Sequence, residues 1–236
     1  MKRDERLIVA LDVPSAADAR ALVERIGDAA CFYKVGLELA MSAGYFDLVD
    51  WLVGRGNRVF ADVKLFDIPE TVARAVANLR GRGITFATVH GNQAVMEAAA
   101  REKGELKVLA VTVLTSLDRG DLDDLGFSCD VERLVLSRAR RAMEAGCDGV
   151  ISSGLEAPRL KSEFRDRLLV VTPGIRPVDN KPMGQTSDDQ KRTVDVARAF
   201  ANGADYIVVG RPVRQAADPR AAAQAIQDTI ATIFTS

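Results

Sequence analysis

Eight short runs rich in valine, isoleucine, leucine and alanine recur along the chain, each followed by a longer amphipathic stretch. They fall near residues 7–13, 31–36, 59–65, 86–91, 107–113, 149–153, 168–174 and 206–211. Strands this apolar are buried on both faces, as in a parallel sheet covered by helices. Helices are predicted around 15–26, 45–54, 69–82, 92–103, 131–145, 157–164, 192–202 and 219–233. Ser15 stands at an N-cap position, Asp218-Pro219 supplies a cap followed by proline, and Gly27, Gly83, Gly104, Gly146 and Gly203 close helical runs. Eight βα units in 236 residues predict an α/β fold, a (β/α)8 barrel forming one domain over 1–236, close to the roughly 250 residues such barrels use. A doubly wound open sheet is the rival, but no GxGxxG follows the first strand. No internal repeat is evident beyond the βα alternation.

Charge and cysteine content narrow the function classes. Lys plus Arg number 32 against 33 Asp plus Glu, a net charge of -1, which offers no basic field for nucleic acid or anionic lipid. No apolar run approaches the roughly 18 residues of a membrane span. Cys31, Cys129 and Cys147 are widely spaced and odd in number, fitting neither a disulfide framework nor a structural zinc site, and a cytoplasmic location is expected.

Chemistry concentrates at predicted strand ends. In DVKLFD, side-chain alternation puts Asp62 and Lys64 on one face and Ala61, Val63 and Leu65 on the other, with Asp67 opening the next loop. Asp12, Lys34 and His90 sit at the ends of the first, second and fourth strands. In a barrel these ends form the rim that carries active sites, and lysines alternating with aspartates 12, 62 and 67 would crowd into one dry, preorganised cavity. The alternative is a structural salt bridge with helix-capping aspartates. There is no GxSxG or HExxH, and the chain has one histidine, so triad hydrolysis and a multi-histidine metal site find no support. At the seventh and eighth strands, Gly174 and Arg176, then Gly210 and Arg211, fit a site for one phosphate monoester. Residues 175–191, with two prolines and no apolar period, are predicted as a long loop, of the kind that serves as a lid, a binding loop or a disordered segment.

Several blocks occur in order: LDV at 11–13, YKVG at 33–36, DVKLFDIPxT at 62–71, VHG at 89–91, VLTS at 113–116, TPGIRP at 172–177, DQKR at 189–192 and VGRP at 209–212. Together they resemble the orotidine 5′-monophosphate decarboxylase family almost end to end. The resemblance implies cofactor-free, metal-free decarboxylation in pyrimidine biosynthesis, with Lys34, Asp62, Lys64 and Asp67 as the charged network and Lys64 delivering a proton to C6. It further implies a homodimer in which Asp67 and Thr71 reach the neighbour's site. Asp12 and Lys34 would hold ribose hydroxyls, Thr115 the pyrimidine, and Arg176, Gln190, Gly210 and Arg211 the phosphate side, Gln190 being preferred over Gln185. Rivals are a magnesium-dependent sister activity on sugar phosphates and a non-catalytic phosphate-ligand barrel.

Overall fold

The structure is a computed structural model, and it describes residues 3–176 and 192–235. Eight strands, β1 (Leu7–Ala10), β2 (Phe32–Gly36), β3 (Arg58–Leu65), β4 (Phe86–His90), β5 (Lys107–Val111), β6 (Gly149–Ile151), β7 (Leu169–Thr172) and β8 (Tyr206–Val209), form one closed barrel in chain order. Closure is made by β1 running parallel to β8, with Leu7 opposite Ile207 and Val9 opposite Val209. The sheet therefore has no open edge, and the doubly wound alternative is excluded.

The helices are α1 (Ala16–Ile26), α2 (Leu37–Ala40), α3 (Tyr45–Gly54), α4 (Pro69–Leu79), α5 (Gln93–Glu102), α6 (Arg119–Asp124), α7 (Val131–Glu144), α8 (Ala157–Phe164), α9 (Val196–Ala201), α10 (Arg211–Arg214) and α11 (Pro219–Thr235). Ser15 caps α1 by accepting from the Asp18 amide, and Asp218 caps α11 by accepting from Ala221 at 3.0 Å. Two boundaries differ from expectation. The helix predicted from 192 starts at Val196, because Asp195 caps it and Val194 is used in a bridge to Ile175. The short α6 went unpredicted, although Asp118 and Asp121 build a reciprocal capping box around its first turn.

Two apolar clusters divide the molecule. The larger lies between strands and helices, while Ile8, Ala10, Phe32, Phe60, Phe86, Leu109, Val171, Tyr206 and Val208 fill the barrel interior. Phe86 packs against Phe32 at 5.2 Å and Tyr206 at 5.1 Å between ring centroids. At the N-terminal end Arg58, paired with Glu5 at 2.8 Å, lies 4.8 Å from the Phe32 ring. With one end plugged this way, any cavity must open at the C-terminal end of the strands.

A recurrent device appears that the sequence pattern alone did not disclose. Asp148 accepts from the Val108 amide and pairs with Lys103, both at 2.9 Å. Asp205 does the same for the Val170 amide and Lys161, both at 2.7 Å. Each aspartate lies two residues after a left-handed glycine, Gly146 (φ 86°) or Gly203 (φ 96°), which turns the chain from helix to strand. Among the described residues, no helix is long and apolar enough to cross a membrane.

Candidate active site

The alternation predicted for β3 is kept, with Asp62 and Lys64 facing the cavity and Ala61, Val63 and Leu65 packing in the outer core, but the pairing with β4 shifts. Ala61 pairs with Ala87 but Leu65 with Val89, so β3 uses two more residues than β4 over this stretch. Lys64 takes up the difference with φ 49°, a left-handed backbone that costs a non-glycine residue about 1–3 kcal/mol. Its amide donates to Thr88 Oγ1 at 3.0 Å, and that hydroxyl donates to Asp62 Oδ1 at 2.9 Å. Lys64 Nζ donates to the same oxygen at 2.8 Å. Thr88, fully buried on β4, thus holds both the strained backbone and the carboxylate. No motif in the sequence marks it as part of the site.

Lys34 joins β2 to this group, its Nζ lying 2.8 Å from Asp12 Oδ1 and 3.5 Å from Asp62 Oδ2. A Cβ at position 36 would sit 3.0 Å from Lys34 Nζ and 3.3 Å from Asp12 Oδ1, so the glycine of YKVG leaves room for the pair. Burial works to lower the Lys34 pKa, but the carboxylates of Asp62 and Asp12 outweigh it and hold the amine above its ordinary value. Burial also works to raise Asp62, and Lys34, Lys64 and the hydrogen bond from Thr88 prevail, holding it below the ordinary carboxylate range. Both groups are therefore charged at neutral pH.

These residues form one side of a cavity of ≈ 420 Å³ at the C-terminal end of the barrel, within the range that holds small ligands. Its floor includes Ala10, Phe60, Val111, Ile151 and Val208. The far wall carries Gly174, Arg176, Gly210 and Arg211, with Thr115 and Ser116 in the loop that follows β5. Gly174 has φ 77°, and the neighbouring Arg176 amide donates to Val194 O at 2.9 Å. The cavity thus has an alternating-charge side on β1 to β3 and a cationic, glycine-bearing side on β7 and β8.

The family model for the orotidine 5'-phosphate decarboxylase / HUMPS family matches residues 5–226. The chain belongs to this family. It is 65% identical over 230 residues to an orotidine 5'-phosphate decarboxylase of Methylococcus capsulatus, covering 98% of this chain and 93% of the relative. It is 50% identical over 234 residues to the one from Stenotrophomonas maltophilia, covering 98% and 95%. Its structure is similar to the crystal structure of orotidine 5'-phosphate decarboxylase from Lactobacillus acidophilus, with TM-score 0.82 and 33% identity, covering 96% of this chain and 99% of that one.

Of the residues that the resemblance to the decarboxylase family singled out, Asp12, Lys34, Asp62, Lys64, Thr115, Arg176, Gly210 and Arg211 all line the one cavity. Asp67 does not join the charged cluster of its own chain, contrary to the expectation that all five charges crowd together. The β3 loop carries it outward, where it is exposed and its Oδ1 accepts from the Ile68 amide at 2.7 Å. Thr71, in the first turn of α4, also lies outside the cavity lining. His90 is outside the lining too, its ring 5.2 Å from Phe66, and burial, Arg138 and Lys64 lower its pKa, so it is neutral at pH 7. Asp12 is half-exposed, so the rim is wetter than expected. Gln190, Gln185 and nearly all of the predicted long loop lie outside the described residues.

Three features escaped the sequence reading besides Thr88. Ser116 and Arg214 line the cavity, and Glu156 and Arg192 form an ion pair in which both side chains are about a tenth exposed. Arg192 also donates to Val113 O at 3.2 Å and Leu114 O at 3.0 Å, just before Thr115. Only the arginine of DQKR and the glutamate at 156 signal this pair, and neither names its partner.

Proposed function

We propose that this cavity decarboxylates orotidine 5′-monophosphate to uridine 5′-monophosphate and CO₂, the carboxy-lyase step of pyrimidine biosynthesis, without cofactor or metal. One observation carries the reading: Lys34 and Lys64 both converge on Asp62, across a cavity from a glycine-bearing wall with Arg176 and Arg211. The C6–carboxylate bond breaks and leaves its electron pair on C6. Lys64 stabilises that charge and transfers an Nζ proton to C6, becoming a neutral amine. Electrostatic stabilisation prepositioned in this way does not have to reorganise as the charge develops. Asp62 stands beside the departing carboxylate and keeps Lys64 aimed; Asp12 and Lys34 hold ribose hydroxyls and Thr115 the pyrimidine. Arg176, Gln190, Gly210 and Arg211 hold the phosphate, and that remote binding energy supports the chemistry at C6.

The working unit is a homodimer in which Asp67 and Thr71 complete the partner's site. Phe66 (64% exposed) and Ile68 (66%) flank Asp67 as apolar surface that a second copy would cover. The whole chain acts as one barrel domain in the cytoplasm.

The family description also names HUMPS, and a magnesium-dependent reaction on sugar phosphates is the second reading. Against it, the Lys34 ammonium occupies the space between Asp12 and Asp62 and would repel Mg²⁺ there. The deciding experiment follows orotidine 5′-monophosphate by ultraviolet absorbance with purified protein in chelator. Turnover supports the proposal; loss in EDTA with recovery on Mg²⁺ hands the site to the second reading.

A further inference from the structure

Arg214 lines the cavity three positions after Arg211, one turn further along α10 on the same face. The VGRP block stops two residues short of it. It differs in its ion pairing from Arg58 and Arg192. Arg58 has Glu5, and Arg192 has Glu156 and two carbonyls. Among the described residues Arg214 forms no ion pair, and its Nε, like those of Arg6 and Arg192, is buried without a hydrogen-bond partner. A guanidinium on a cavity wall with no acid beside it can take an anionic ligand as its counter-charge.

The position of the residue identifies that anion. The two aspartates of the described lining, Asp12 and Asp62, lie after β1 and within β3, whereas the wall after β7 and β8 is contributed by Arg176, Arg211, Arg214 and glycines. A guanidinium can also grip two oxygens of one phosphate with a planar fork, which lysine cannot reproduce.

We propose that Arg214 is a further phosphate-binding residue, whose guanidinium grips the dianionic monoester of the ligand beside Arg211. For the identity of the nucleotide this rests on the decarboxylase reading; for the anion it does not. The test compares wild type, Arg214→Gln and Arg214→Lys in calorimetric titrations with uridine 5′-monophosphate, uridine and inorganic phosphate. Circular dichroism and melting establish that each variant is folded.

Arg214→Gln is expected to weaken the nucleotide monophosphate by about tenfold to a hundredfold, the size of a charge-assisted contact, to weaken inorganic phosphate, and to leave uridine unchanged. Arg214→Lys is expected to fall between, since it restores charge without the fork. A nucleotide affinity within about twofold of wild type in folded Arg214→Gln, or an equal loss for uridine, overturns the proposal. If wild type fails to decarboxylate while Arg214→Gln still loses phosphate affinity, the decarboxylase reading falls and the phosphate grip stands.

Discussion

Lys64 Nζ lies 2.8 Å from Asp62 Oδ1 although the two residues are only two positions apart. An extended strand would send both side chains straight into the barrel mouth; the left-handed turn at Lys64 bends the ammonium back onto the carboxylate. Removing the amine should therefore remove chemistry and spare binding. Lys64→Ala is expected to lower kcat by about 10⁴-fold or more, combining a lost general acid with lost charge stabilisation. Uridine 5′-monophosphate affinity should stay within about tenfold. Single-turnover kinetics beside product titration measure both, and near-normal kcat would refute the assigned role.

Lys34 and Asp62 set a pH window. Asp62 is held below its ordinary 3.8, so its ion-pair contribution is complete above that value and is lost as pH falls through the depressed pKa. Lys34 is held above its ordinary 10.5, so its contribution is complete below that value and is lost as pH rises through the raised pKa. The array should stay intact from about pH 5 to 9, and the acid limb of kcat/KM should follow the ligand phosphate near pH 6. A break between pH 7 and 9 that vanishes in Asp62→Asn would contradict this.

Arg211 stands on the cationic wall, away from the reacting carbon. Arg211→Ala should mainly raise KM, lowering kcat/KM by about 3 kcal/mol, or about a hundredfold. Steady-state kinetics that show less than a tenfold effect would tell against the phosphate site.

Asp67 is exposed in its own chain and is expected to serve the partner's cavity. Asp67→Ala and Lys64→Ala should each be inactive alone. Equal mixing after subunit exchange should recover about a quarter of wild-type activity, because half the dimers are hybrids with one intact site. No recovery despite demonstrated exchange would place Asp67 outside the partner's site.

Glu156 and Arg192 bind the ends of β5 and β6 to the chain re-entering before α9. Glu156→Gln leaves a buried guanidinium without its counter-charge. It should cost about 3 kcal/mol, seen as a melting point lower by about 6–12 °C. Replacing both residues by leucine should cost less than either single change; a larger cost would mean that the pair itself is strongly stabilising.

The sequence by itself determined the eight βα units, the polar residue types at strand ends and the glycines that turn helix into strand, because these depend on local period and local backbone preference. It also marked Asp12, Lys34, Asp62 and Lys64, since charges at the ends of apolar strands stand out without knowledge of their neighbours. Only the tertiary structure decided that Lys64 leaves the extended conformation, that Thr88 from the next strand supports it, and that Arg192 finds Glu156 36 residues away. It also decided that Asp67 turns away from its own cavity while Arg214 turns into it. Those outcomes depend on barrel closure and on the register between strands, which bring distant residues together by packing that no local pattern encodes.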